Sequence, residues 1–121
     1  MSRKSLRRDD YLGHILKAIE RVERYTSSIS FEDFSRNEMA QDAVIRNLEI
    51  IGEACRNIAE SDPAFAGRHP DFPLGAAVGM RNILAHGYFG VELDIVWNAV
   101  RANLPKLQRQ CRQILAERPG N

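Results

Sequence analysis

The sequence predicts an all-α protein, an antiparallel up-and-down bundle of four main helices. Three observations carry that prediction. Apolar residues recur at steps of three and four along almost all of the 121 residues, the signature of helices with one buried face. No run alternates apolar and polar residues at period two, so no strand is expected. Turn-forming residues concentrate in a few places, chiefly "SDPAFAGRHPDFP" at 61–73, with three prolines and a glycine, which reads as a loop. One domain over 1–121 is what this length supports, and it can bury a core without staples.

The first helix carries Leu12, Ile15, Ile19 and Val22 on one stripe. Asp9 or Asp10 is its expected cap, which leaves 1–8 as a basic tail containing Arg3, Lys4, Arg7 and Arg8. Hydroxyl and β-branched residues in "YTSSIS" end it. Ser30 with Asp33, and Ser35 with Glu38, each resemble a capping box. They predict a short turn at 31–34 and a long helix over about 36–61, with Val44, Leu48, Ile51, Cys55 and Ile58 as its core stripe. Pro73 suits the first position of the next helix, expected over 73–85. The small residues of "LGAAVGM" predict close packing on a neighbour, and Gly87 is a natural left-handed stop. The last helix is expected over 93–116 on Leu93, Trp97, Val100, Leu104, Leu107, Cys111 and Ile114. Pro105 should kink it, and 117–121 is a frayed tail.

Composition excludes several classes. Hydrophobic residues make up 44% and charged residues 27%, as in soluble globular chains. No segment approaches the roughly 20 apolar residues of a membrane span. The basic N-terminus is not followed by an apolar run, so no secretory leader is expected and the chain is placed in the cytoplasm. The net charge of +1 gives no global basic field. Fourteen of the seventeen bases are arginines, the better fork for phosphate, although base composition of the genome gives the same bias. Cys55 and Cys111 fall on apolar stripes without CxxC spacing and are expected as reduced core residues. No metal site and no cofactor are expected.

The residues with chemical potential lie in "MRNILAHGYFG" at 80–90. Arg81 and His86 are five helical steps apart, about 140° in rotation and about 7.5 Å in rise. They share no narrow face, but they can converge on one phosphate if the arginine lies along the helix and the histidine projects near its end. One reading is RNA cleavage: a histidine moves protons at a 2′-hydroxyl or a leaving oxygen, and an arginine stabilises the phosphate charge, with no metal needed. The other reading is a histidine interacting with the helix dipole beside a surface arginine. His14 and His69 lack an arginine at that spacing and are expected to be structural or solvated. A single histidine cannot be acid and base in one step, and a symmetric dimer would supply a second. Gly75, Ala76 and Gly79 are the candidate contact face. Arg46, Glu49, Glu53, Arg56 and Glu60 repeat at three and four. They form a solvated ion-pair face or a support in which Glu49 or Glu53 orients Arg81 or His86.

"QDAVIRNLEIIGEA" at 41–54, "GMRNILAHGYF" at 79–89 and "VELDIVWNAVRANLPKL" at 91–107 resemble the HepT-like toxins of the HEPN superfamily of helical ribonucleases. The resemblance covers about residues 9–115. Its Arg-x4-His-x-Tyr motif falls on Arg81, His86 and Tyr88. Asn82 matches a common polar position, and Arg46, Glu49 and Glu53 match the family's long-helix segment. The resemblance implies a HEPN-like bundle and a homodimeric, metal-independent ribonuclease toxin. It implies an MntA-type nucleotidyltransferase antitoxin that transfers AMP from ATP to Tyr88. In that reading Arg81 and His86 are catalytic, and Asn82, Arg46, Glu49 and Glu53 support them. The alternative is a non-catalytic dimeric module that binds nucleotide or the nucleotidyltransferase.

Overall fold

In the computed structural model, which describes residues 3–86 and 92–117, every regular element is helical. Helix α1 spans Arg3–Thr26, α2 Phe31–Ser35, α3 Glu38–Ser61, α4 Phe65–Arg68 and α5 Leu74–His86. Helix α6, Leu93–Asn98, runs through a π-helical turn, Ala99–Asn103, into α7, Leu104–Ala116. Among the described residues there is no strand, and no helix is long and apolar enough to cross a membrane. Helix α3 is the hub: α1 packs along one flank, α5 along the other, and α7 returns along α1. The expected all-α bundle is therefore present.

Its core contains the predicted stripes, with Leu93 and Trp97 only partly buried, and adds Phe65, Phe72 and Leu84. Leu12, Ile15, Ile19 and Val22 meet Val44, Ile51, Cys55 and Ile58 with at most 3% of any side chain exposed. Burial of each large aliphatic contributes about 1.5–3 kcal/mol. Phe34, from the short α2, plugs one end and lies 5.0 Å from Trp97, centroid to centroid. Arg101 then ties both chain halves together. Its Nη2 donates to the carbonyls of Thr26 at 2.8 Å and Ile29 at 3.0 Å, and its guanidinium lies 4.4 Å from the Trp97 ring centroid. The carbonyl of Thr26, which also accepts from Ile29 N at 3.3 Å, and that of Ile29 just past α1 thus share one charged donor.

Four element boundaries differ from expectation, each for a local reason. Helix α1 starts at Arg3, ahead of Asp9, so the basic run is helical. Arg8 is buried and its fork meets Asp9 Oδ1 at 3.0 and 3.1 Å, which makes Asp9 an ion-pair partner. The Ser30–Asp33 capping box forms as predicted. The Ser35–Glu38 box does not: the Ser35 hydroxyl donates to Glu32 O at 2.7 Å, and Asn37 caps α3 by accepting from Ala40 N at 3.0 Å. Asparagine ranks with serine as a cap and sits next to the helix start. The proline-rich segment contains α4, held because Phe65 is fully buried against Phe72, edge to face at 5.2 Å, and Arg68 pairs with the buried Asp62.

The fourth difference is the last helix. Pro105 stands at the start of α7, and the π-helical turn precedes it. Pro105 has no N–H for the carbonyl four residues back. The backbone ahead widens instead, and Leu104 N donates to Ala99 O, five residues back. At the place of the expected kink stands this π-helical turn, a common way of absorbing a break in the ladder.

Both cysteines are free and buried. Burial pushes each thiol up to about 12, and at Cys55 the neighbouring Cys111 adds to the rise. The raised value means the folded state holds the thiol proton longer than the unfolded chain does. This contribution to stability is intact below about pH 9, the unfolded value, and is lost as pH rises towards 12. Near pH 8 an aromatic disulfide reagent should therefore modify neither thiol in the folded chain at an appreciable rate, and both after denaturation. Rapid native-state modification of either would contradict this packing.

Candidate active site

The polar stripe of α3 divides in two. Arg56 and Glu60 form an ordinary exposed pair at 3.1 Å, worth a few tenths of a kcal/mol. Arg46, Glu49, Glu53 and Asn57 instead floor a groove of about 260 Å³, walled by His14 from α1 and Arg81 from α5. Steps of three and four keep these α3 residues on the side away from the core stripe. The two flanking helices rise on either side of them, so three elements separated in sequence share one polar depression.

Arg81 is positioned by a close backbone approach. A Cβ built on Gly52 would lie 2.2 Å from Arg81 Cβ and 2.8 Å from Ala77 O. Only a glycine fits beneath α5 at this crossing, and the contact sets the Arg81 side chain above Glu53. Arg81 Nη2 lies 3.5 Å from Glu53 Oε2, and Nη1 donates to Asn82 Oδ1 at 3.1 Å. Glu53 Oε2 is itself enclosed and makes no hydrogen bond, although the Glu53 side chain is 44% exposed. The pair is thus an electrostatic contact from one inward-facing oxygen, with most guanidinium donors left for another acceptor.

Glu49 serves a second depression beside the groove, which it lines with Ile45, Leu84 and Ala85. Glu49 thus shares this depression with Leu84 and Ala85 near the end of α5. His86 is the last residue of that helix, one turn and a half beyond Arg81. The predicted role of its side chain, and that of Tyr88 and the stop at Gly87, lie outside what is described. Among the described residues no group of three or more His, Cys, Asp or Glu is arranged to hold a metal ion.

Of the predicted residues, Arg81, Asn82, Arg46, Glu49 and Glu53 come together. Two further ones were not singled out. Gly52 had a signal, since glycine inside a long helix costs about 1 kcal/mol against alanine and marks close approach. His14, expected to be structural or solvated, lines the same groove as Arg81; nothing in its local sequence indicates this. The small residues Gly75, Ala76 and Gly79 do not mediate the α3–α5 contact. All three are exposed, and Gly75 and Gly79 have open space where a Cβ would go.

The crossing generates a paired prediction. Gly52→Ala should destabilise the fold by about 1–3 kcal/mol, as overpacking does, despite the better helix propensity. Gly13→Ala, with nothing within 4 Å of the added Cβ, should be neutral or stabilise by up to about 1 kcal/mol. Denaturant midpoints read both. Equal effects of the two would remove the argument for a close approach.

The chain is similar to known proteins over most of its length. The family described as Ribonuclease HepT-like matches residues 15–114. The "Probable ribonuclease HepT" of Thermococcus cleftensis is 44% identical over 99 residues, covering 82% of this chain and 87% of that protein. A protein of Caldanaerobacter subterraneus subsp. tengcongensis named "Putative RNase" is 39% identical, covering 87% of this chain and 91% of the relative. The "Gamma-glutamylcyclotransferase and putative RNase" of Methanocaldococcus jannaschii is 40% identical over 92% of this chain, which spans only 49% of that longer protein. No solved structure matches.

Proposed function

The chain belongs to the HepT-like ribonuclease family, and on that premise we propose that it is a metal-independent endoribonuclease, the toxin of a two-component toxin–antitoxin system acting in the cytoplasm. The observation that carries the reading is the loosely paired Arg81, 3.5 Å from Glu53 in an open polar groove, on the helix that His86 ends. An arginine with spare donors beside an accessible groove suits a phosphate whose charge grows during reaction.

In this mechanism the 2′-oxygen of the RNA attacks the adjacent phosphorus, and His86 takes the 2′-hydroxyl proton. The bond from phosphorus to the 5′-oxygen breaks, and that oxygen takes a proton from the His86 of a second copy. The products are a 2′,3′-cyclic phosphate and a 5′-hydroxyl, and the two histidines exchange roles between turnovers. Arg81 holds the non-bridging oxygens and Asn82 positions the strand. Glu53 orients Arg81, Glu49 supports the end of α5 that bears His86, and Arg46 attracts the backbone. The homodimer this requires has a surface to use. Gly75, Ala76, Gly79 and Ile83 share the outer face of α5, where Ile83 is 62% exposed, and Ile95 on α6 is 51% exposed.

Regulation follows from position. An MntA-type nucleotidyltransferase antitoxin transfers AMP to Tyr88, two residues beyond His86. The added phosphate and base compete with RNA for Arg81 and fill the site.

Incubation of the unmodified chain with total RNA in EDTA tests the reading. Wild type should cleave and His86→Ala should not, while Arg81→Ala should fall by about 10²–10³ in rate. Intact-mass measurement first excludes adducts on Tyr88. No cleavage by clean dimeric wild type would favour a module that binds nucleotide or partner without cutting. A charge on the outer face of α5, Ile83→Asp, should convert the dimer to monomer by light scattering and abolish cleavage. A fully active monomeric Ile83→Asp protein would refute the shared-histidine mechanism.

A further inference from the structure

Helix α1 contributes one side chain to the groove, and it is a histidine. His14 is exposed and stands on the wall opposite Arg81, with the α3 residues Arg46, Glu49 and Glu53 between them. Tyr11, one turn earlier on α1, lies edge-on to it at 6.1 Å between ring centroids and 72° between planes. Tyr11 is half-buried and packed against the core, so it forms a fixed wall beside the imidazole.

The charges facing His14 are few. Helix α3 presents Arg46, Glu49 and Glu53, and α5 presents Arg81; on α1 the exposed Asp10 and Lys17 stand one turn to either side of His14. The two arginines and two glutamates cancel, as do Asp10 and Lys17. The imidazole of His14 brings a ring N–H donor to this balanced surface. Such a group suits an anion.

We infer that His14 is a substrate-binding residue, whose ring N–H donates to a backbone phosphate of the RNA strand lying across α3 between α1 and Arg81. The inference rests on the ribonuclease reading and extends its binding surface onto a helix outside the Arg81–His86 motif. A strand reaching from Arg81 to His14 crosses the polar floor of α3, so Arg46 and Asn57 border its path.

The test is fluorescence anisotropy with a labelled 2′-O-methyl RNA of about twelve nucleotides, which lacks the attacking hydroxyl. His14→Ala should bind about tenfold more weakly than wild type, the scale of one hydrogen bond to a charged group. His14→Lys, which restores an N–H donor to phosphate, should recover the affinity. Thermal melting confirms that the variants are folded. If His14→Ala matches wild type while wild type cleaves RNA, the inference fails and the ribonuclease reading stands. A loss that lysine does not restore would mark a structural residue and also overturn it. Wild type that neither binds nor cleaves RNA would refute both.

Discussion

The approach of α5 to α3 over Gly52 is the contact on which the site depends. At this crossing a hydrogen replaces a side chain, and Arg81 Cβ and the Ala77 carbonyl occupy the space. A glycine in a helix interior sacrifices about 1 kcal/mol of propensity. The return is geometric. The two backbones lie closer than side chains would allow, so the Arg81 guanidinium starts directly above the polar face of α3 rather than beyond it. Helix α3 is long and flanked by both α1 and α5, which fixes the Gly52 side of the contact. The approach of α5 is therefore set by a rigid reference, as a functional side chain requires.

The same helix supplies the core and the floor of the groove, and this division has a cost. Asn47, 5% exposed, donates to Ala43 O at 2.8 Å, while its Oδ1 accepts nothing. Glu53 Oε2 is enclosed with only an ion pair at 3.5 Å. Polar atoms left short of partners destabilise a fold; Gln110 Oε1 on α7 is a third among the described residues, and of the three residues Glu53 is the one that borders the groove. The stripe from Val44 to Ile58 offsets that cost through near-complete burial against α1. Stability is drawn from one face of α3, and polarity is concentrated on the other.

How much of this was legible follows from which forces are local. Helix periodicity is local, and the core stripes of α1, α3 and α7 are buried as read. The Ser30 box is also local and forms. The competition between Ser35 and Asn37 for the α3 start was not decidable from spacing, because both residues cap well and the outcome turned on the Ser35 hydroxyl finding Glu32 O. Helix α4 exists because Phe65 meets Phe72, a tertiary contact invisible in a proline-rich string. Arg81, Asn82, Glu49 and Glu53 could be named from motif and stripe. The pairing of Glu53 with Arg81, and the depression that Glu49 shares with the end of α5, needed the crossing geometry. His14 is exposed, as expected of a solvated residue, but its neighbours in sequence carry no sign of the groove that α3 and α5 complete.

The looseness of the Arg81–Glu53 pair now acquires a reason. With 30% and 44% of the two side chains exposed and 3.5 Å between charges, the contact contributes at most about 1 kcal/mol. A tighter, bidentate pair would occupy the guanidinium fork and would have to be broken before a phosphate could be held. Charge-assisted hydrogen bonds to a phosphate contribute about 1.5–3 kcal/mol each, enough to draw the arginine away from a single inward oxygen. Glu53 thus keeps Arg81 over the groove while leaving it free to exchange partners. The same weakness makes the site open to any competing phosphate held nearby, which is what an AMP group two residues past His86 would present.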